Sequence, residues 1–468
     1  MTAPAPRPRS ARGAVAALSL GTLLNPLNSS MIAVALVSLQ HSFRVDVTTV
    51  TWVITSFYLA SAAGQPLMGR FADRFGPRRL FLFGMLVVVL GCALTPFASS
   101  FAAVCGGRVA LAIGTATAFP SAIAMLRPIA SATSTATPRL LGRIQIANTS
   151  GAAVGPVLGG LLVTFLGWQA IFWVNIPLAA LAFLGVWLFA PHDPEREAVP
   201  LSRVIVESDV PGIAAFIVTL ASLLVFLLDL EPRPLWWLLP VCALAAALFV
   251  WRELRTAHPF LDLRLLSSNR RLLMVYLCFA IFNVVYYSAF FGLPQYLQEH
   301  AGYSAGIAGL LMFPLAAVTI VVTPLAARAI ERFGVRPTLI FGASALIAGA
   351  AVLAFGAVST APVVVLVLTA LLGIPYCVVS IAMNQALYSS ARPQDSGVAA
   401  GIFQTSRYVG AIMATTILGL LFSGGTTAGT WLAATGIATA LAVVHLSLLV
   451  FVRPGRREAP AAGAAEPA

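Results

Sequence analysis

Fourteen apolar runs, each near the length of about 20 residues that a helix needs to cross ~30 Å of hydrocarbon, leave this chain almost nothing from which to build a water-facing surface. The runs fall near residues 14–38, 50–69, 80–98, 101–126, 140–165, 168–190, 210–230, 234–251, 272–295, 305–327, 338–357, 361–388, 397–422 and 430–452, parted by short Gly-, Pro- and Arg-bearing punctuation. Only 9% of the residues are charged, against about 25% in a soluble domain, so no large domain is expected outside the bilayer. Within hydrocarbon every backbone polar group needs an internal partner, which leaves helices and closed barrels as the spanning structures. Runs this long suit helices, and the chain is expected to be an all-α polytopic membrane protein. Its first run is too long for a signal-peptide core and reads as an uncleaved first helix.

An even number of spans places both termini on one side of the membrane. All 28 basic residues are arginine, and 24 of them fall in the tails and connections on that side. Arg44 and Arg233 fall opposite, while Arg108 and Arg407 lie inside runs. By the positive-inside rule this bias predicts cytoplasmic N- and C-termini.

An internal repeat divides the chain. The stretch from Pro66 to Arg78, PLMGRFADRFGPR, aligns at a constant offset of 258 with Pro324 to Arg336, PLAARAIERFGVR. Proline, leucine, arginine, acid, arginine, phenylalanine, glycine and arginine recur in register, joining the loop after the second run to the loop after the tenth. The halves are therefore expected to be parallel copies. The predicted organisation is a cytoplasmic tail (1–13), an N-terminal six-helix bundle (14–190), a linker with two extra helices (191–271), a C-terminal six-helix bundle (272–452) and a cytoplasmic tail (453–468).

What is missing excludes whole chemistries. With no lysine the chain cannot form a Walker phosphate loop or a Schiff-base site, so direct ATP-driven pumping is not expected. Cys92, Cys105, Cys242, Cys278 and Cys377 show no metal or redox spacing, the five histidines are scattered, and no HExxH occurs. No metal, no cofactor, no enzymatic activity and no nucleic-acid partner is expected; the bilayer is the partner that composition dictates.

The loop GRFADRFGPRR has the physics of a latch. Asp73 can pair with arginines or accept from backbone N–H groups at a helix N-terminus, Gly69 and Gly76 permit close approach and a tight turn, and Arg74 and Arg78 supply charge. Glu331, Arg332 and Arg336 repeat the arrangement in the second half. The plain alternative is that these arginines only set topology.

This loop resembles the cytoplasmic signature of the major facilitator superfamily, and three further segments agree. Arg108 to Gly114, continuing to Pro120, resembles the superfamily's fourth-helix arginine motif, although Leu111-Ala112 stands where a glutamine-glycine pair is usual. Gly151, Gly155, Pro156, Gly159 and Gly160 resemble the antiporter motif GxxxGPxxGG. WQAIFWVNIP, from Trp168 to Pro177, is similar to the start of helix 6 in the fourteen-helix drug:proton antiporters. The resemblance covers essentially the whole chain. It implies a major facilitator fold with 14 transmembrane helices (6+2+6) in a bacterial cytoplasmic (inner) membrane. It also implies export of hydrophobic or amphipathic small molecules, drugs, antibiotics or secondary metabolites, by alternating access coupled to proton influx. A small-molecule substrate and protons as partners, and a monomeric state, are expectations that rest on this resemblance.

The first helix departs from that pattern. The fourteen-helix exporters usually carry an aspartate in a segment like LDxTIVNVALP, whereas this chain reads Leu27-Asn28-Ser29-Ser30. Asn28 cannot titrate, and none of the 16 acidic residues falls at the middle of a predicted helix. Arg108 and Arg407, buried without a mid-membrane acid, leave the interior positive and favour an anionic or zwitterionic substrate.

In the implied architecture the first and fourth helix of each half line the cavity. That brings forward Asn25, Asn28 and Ser29; Arg108 and Phe119; Asn283, Tyr286, Tyr287 and Phe290; and Tyr376, Met383 and Asn384. An aromatic pocket with a few hydrogen-bonding groups is the expected composition of a small-molecule site. Two rivals remain: a uniporter or uptake carrier for a metabolite, which the lost acid keeps open, and a non-transporting membrane sensor or intramembrane enzyme.

Overall fold

The structure, a computed structural model, describes residues 10–133, 137–193, 209–228, 235–256, 259, 263–264, 269–391 and 396–449. Among these every regular element is a helix. The first six principal helices are α1 Ala11–Met31, α2 Trp52–Phe75, α3 Pro77–Leu94, α4 Phe101–Ala116, α5 Thr137–Leu166 and α6 Asn175–Phe189. Then come α7 Val210–Leu228, α8 Leu238–Arg255, α9 Arg270–Glu299, α10 Phe313–Phe333, α11 Val335–Val352, α12 Pro362–Ser390, α13 Ser396–Phe422 and α14 Ala428–Leu449.

Local chemistry sets the ends and breaks. Ser10, Ser100 and Asn269 cap α1, α4 and α9 by accepting from backbone N–H groups three residues on, which satisfies donors that a helix start leaves open. Gly76 and Gly334, the same position of the repeat, hold φ of 96° and 90° and turn α2 into α3 and α10 into α11. The expected run 101–126 is broken at Thr117, whose hydroxyl donates to the Gly114 carbonyl at 2.8 Å; a second helix, Ala118–Thr133, continues it. The first run bends by 63° between Ala11–Val34 and Leu36–Phe43.

The protein is a multi-pass membrane protein: among the described residues 12 helices are long and apolar enough to cross a bilayer, or up to 13 with the bent pair counted as one span. The expected count of fourteen is not confirmed by length and composition. α8 falls outside the set because its last turn carries Arg252, Glu253 and Arg255. The apolar surface points outward as lipid requires: Phe83, Leu86, Leu90 and Leu94 along one side of α3 are all exposed.

Packing repeats itself eight helices along. In the first half α1 packs on α5 and α6, α2 on α4, and α3 on α4 and α6; in the second, α9 packs on α13 and α14, α10 on α12, and α11 on α12 and α14. The two cross-contacts obey the same shift, since α2 meets α13 and α5 meets α10. α7 and α8 pack chiefly on each other, with α7 also touching α2 and α13. The end of the bundle that carries Arg70, Arg74, Arg78, Arg328, Arg332 and Arg336 is called the arginine-rich face below, and the other end the arginine-poor face.

Candidate functional site

Two seams join the halves toward the arginine-poor face. Along α13, Thr48 of the short helix Val47–Val50 before α2 donates to the Gly419 carbonyl at 3.2 Å; along α2 and α13 the Thr55 and Thr415 hydroxyls share a bond of 3.2 Å, and Gln65 donates to the Tyr408 hydroxyl at 2.6 Å. Along α5 and the helix Ala305–Leu311 leading into α10, the Gly306 N–H donates to the Thr164 hydroxyl at 2.8 Å.

The glycine motif explains how close that second seam can be. Gly151, Gly155 and Gly159 recur every fourth residue on one face of α5 and meet α1; a Cβ on Gly159 would stand 2.7 Å from the Met31 carbonyl oxygen. Gly160 and Pro156 occupy the next face and meet the α10 side: a Cβ on Gly160 would stand 2.5 Å from the Ala305 carbonyl oxygen, and one on Gly309 would strike the Pro156 carbonyl. Small residues let membrane helices gain dispersion contacts where no hydrophobic driving force exists between them.

A tyrosine cluster lies at mid-helix beside the first seam. Arg407, half-buried on α13, donates from Nε to the Tyr287 hydroxyl at 3.0 Å. The Tyr58 ring centroid lies 5.6 Å from those of both Tyr287 and Tyr408. Tyr286 stacks on Tyr376 at 3.8 Å and on Phe290 at 5.4 Å. Of the residues expected to line a cavity, the structure thus brings Tyr286, Tyr287, Phe290 and Tyr376 together around Arg407.

The other expected residues have different settings. Asn28 and Asn175 form a reciprocal amide pair, at 2.6 and 2.8 Å, and each also donates to a carbonyl four residues back, Leu24 at 2.8 Å and Ile171 at 2.7 Å. Both are buried. Asn25 ties α1 to the Thr115 hydroxyl of α4 at 3.0 Å, Ser29 donates to the Pro26 carbonyl, and Asn283 donates to the Phe279 carbonyl of its own helix. Met383 is fully buried, Phe119 is half-buried, and Asn384 is exposed near the arginine-rich end of α12, donating to the Ser380 carbonyl.

Arg108, 1% exposed, wedges α1, α2 and α4 together. Nε donates to the Val53 carbonyl at 3.2 Å, Nη1 to the Asn28 carbonyl at 3.4 Å, and the guanidinium carbon stands 4.2 Å above the Phe57 ring. Nη2 is buried without a hydrogen-bond acceptor among the described residues. An unmade bond on a buried neutral donor costs about 1–3 kcal/mol, and one on a charged donor costs more.

At the arginine-rich face the acceptor over the start of α3 is Asp193. Its two carboxylate oxygens accept from the Arg78 and Arg79 backbone N–H groups at 3.0 and 2.9 Å, and Arg78 also donates from its side chain to the Trp187 carbonyl at 2.7 Å. The Asp73 side chain lies outside the described residues. Gly69 approaches Pro120 without crowding, whereas a Cβ on Gly76 would overlap Asp193. In the second half Glu331 and Arg336 are exposed or half-exposed, and Arg332 stands 5.3 Å over Phe333. α7 and α8 are held by an ion pair of 2.5 Å between Arg252 and the fully buried Asp209. Burial lowers the Arg70 pKa, and Asp209 and Glu253 act against that.

Tyr58, Gln65, Tyr408 and Asn175 were not reachable from a lining restricted to the first and fourth helices of each half, because they sit on α2, α13 and α6. A signal existed: polar side chains isolated within apolar runs are expensive and seek partners. Asn175 inside WQAIFWVNIP and Tyr408 beside Arg407 both carry it.

The sequence profile described as the Major Facilitator Superfamily matches residues 18–415. YwoD of Bacillus subtilis (strain 168), an MFS-type transporter, is 38% identical over 88% of this chain and 90% of its own length. The tetracenomycin C resistance and export protein of Streptomyces glaucescens is 28% identical over 87% of this chain and 75% of its own. The crystal structure of the nucleoside transporter NupG superposes with a TM-score of 0.64 over 93% of this chain and 98% of that one, at 13% identity, a likeness of fold alone.

Proposed function

The chain belongs to the Major Facilitator Superfamily, and from that premise we propose that it exports hydrophobic or amphipathic small molecules from a bacterial cytoplasm by alternating access. It is a carrier and not an enzyme in this reading, with 14 spans arranged 6+2+6 and both termini inside. The recurrence of each packed pair eight helices along supports the two six-helix halves. Trp236, Trp237 and Trp251 near the two ends of α8, all exposed, support α8 as a further span, since tryptophan favours the membrane interfaces.

One observation carries the reading: two seams related by the repeat close the bundle toward the arginine-poor face, directly over a polar aromatic cluster at mid-helix. A mid-helix cluster closed off toward one face is what one end state of a rocking transporter requires. The export direction rests on the relative named for resistance and export. Proton influx is the coupling that the resemblance implies. The Asn28–Asn175 pair favours a second reading, uniport, because the helix-1 carboxylate is replaced by a neutral amide whose bonds are all made within the protein.

Everted vesicles from cells that produce the protein, offered a panel of labelled drugs from outside, test the reading. Protein-dependent uptake of at least one compound is expected. Uptake lost on collapse of the pH gradient alone identifies proton coupling; uptake that persists identifies uniport. No protein-dependent uptake of any compound contradicts the export reading.

A further inference from the structure

Donors outnumber acceptors around Arg407. A guanidinium has five N–H donors, and Arg407 spends one on Tyr287. Its electrostatic neighbours are the phenols Tyr287, Tyr376, Tyr408 and Tyr58. The Tyr58 hydroxyl, on a side chain 1% exposed, makes no well-formed hydrogen bond among the described residues, with Tyr287 and Ser29 standing beside it. Arg108 Nη2, on α4, is another buried donor without an acceptor among the described residues. The described carboxylates Asp46, Asp193, Asp209, Glu253, Glu299 and Glu331 stand at helix ends or in connections, away from mid-membrane.

A tyrosine cage by itself suits a cation, whose charge the ring faces attract. Here a cation already occupies it. A second one would meet Arg407 and Arg108 at low dielectric with no counter-charge, whereas an ionised carboxylate or phenolate accepts only and would satisfy the open Tyr58 and arginine donors together. The stacked Tyr286 and Tyr376, with Phe290 and Phe282 beside them, form an aromatic wall for the rest of the molecule.

Resting on the export reading, we propose that the substrates of this site are aromatic organic anions, bound with the carboxylate or phenolate against Arg407 and the Tyr58 hydroxyl and the ring among Tyr286 and Tyr376. The proposal gives the missing acid a reason. A monovalent anion leaving a compartment that is negative inside is driven by the membrane potential itself, about 50-fold in concentration ratio at 100 mV. No titrating group in place of Asn28 is then required for net export.

Three probes with one ring system test this: naphthoate, neutral naphthylmethanol and naphthylmethyl-trimethylammonium. The full chain is reconstituted in proteoliposomes, and a potassium diffusion potential is set with valinomycin. Naphthoate is expected to move, faster with its starting compartment negative. Arg407→Gln is expected to cut naphthoate flux by more than tenfold, Arg407→Lys to restore part of it, and Tyr58→Phe to raise KM several-fold with kcat little changed. Both Tyr58→Phe and wild type should elute as the same monodisperse species, which separates binding from folding. Preference for the cation, or naphthoate flux unaffected by Arg407→Gln and Tyr58→Phe alike, overturns the proposal. Failure of naphthoate in vesicles that move another compound overturns it and leaves export standing; failure of every compound removes both.

Discussion

Arg108 and Arg407 are both cations set inside apolar helices, and the protein accommodates them in different ways. Arg108 is stabilised by backbone carbonyls of α1 and α2 and by the Phe57 ring, all within one half of the bundle. Arg407 is held by a phenol of α9 and lies where α13 meets α2 across the seam between halves. The repeat offset of 258 does not relate them. Chemistry has departed from the symmetry that packing keeps, and the difference teaches which arginine props a half together and which one a moving interface can expose.

The comparison breaks if the two respond alike to removal. Arg108→Ala deletes two charge-assisted bonds and a cation–π contact, a loss of about 3–5 kcal/mol, and thermal unfolding of the purified protein should start at a clearly lower temperature. Arg407→Gln should stay within about 1 kcal/mol of wild type in the same assay, its effect appearing in transport. Equal melting losses would place both arginines in structural roles.

A smaller effect sharpens the contrast between the seams and the amide pair. Gly309→Val puts a branched side chain against the Pro156 carbonyl, and overpacking of this kind costs about 1–3 kcal/mol. It should slow transport while leaving the α1–α5 contact intact, read as reduced flux with unchanged elution. Asn28→Asp keeps the bond from Asn175 but sets two oxygens where the amide pair now stands at 2.6 Å, unless the new carboxyl is protonated. Transport by that variant should become dependent on the pH gradient, whereas gradient-independent flux would deny position 28 any part in coupling.

Much of the architecture was legible because bilayer crossing demands long apolar runs, and the repeated Gly76 and Gly334 mark the same turn in both halves. The break at Thr117 was not legible, since a threonine within an apolar run is compatible with either a continuous or a broken helix. For the span count, three charges in the last turn of α8 keep that helix out of the set that length and composition alone support. At the site, Tyr286, Tyr287, Phe290 and Tyr376 were within reach as aromatic positions on lining helices. Their partners were not, because the bonds that organise them join residues 120 apart for Arg407 and Tyr287, 147 for Asn28 and Asn175, and 343 for Gln65 and Tyr408. No local pattern encodes such pairings. The acceptor over α3 illustrates the same limit: Asp193, more than a hundred residues from Arg78 and Arg79, accepts from their backbone N–H groups.

The smallest effect concerns that acceptor. Asp193→Ala leaves the first N–H groups of α3 without their carboxylate, a loss of about 1 kcal/mol, to be read as faster amide hydrogen exchange at Arg78 and Arg79 with transport little altered.

The most direct test of the central claim, that the α2–α13 seam must part during each cycle, is a reversible crosslink across it. With Thr55→Cys and Thr415→Cys in one chain, whose wild-type hydroxyls lie 3.2 Å apart, oxidation should stop transport and reductant should restore it. Undiminished flux through the oxidised, fully crosslinked protein would contradict the account.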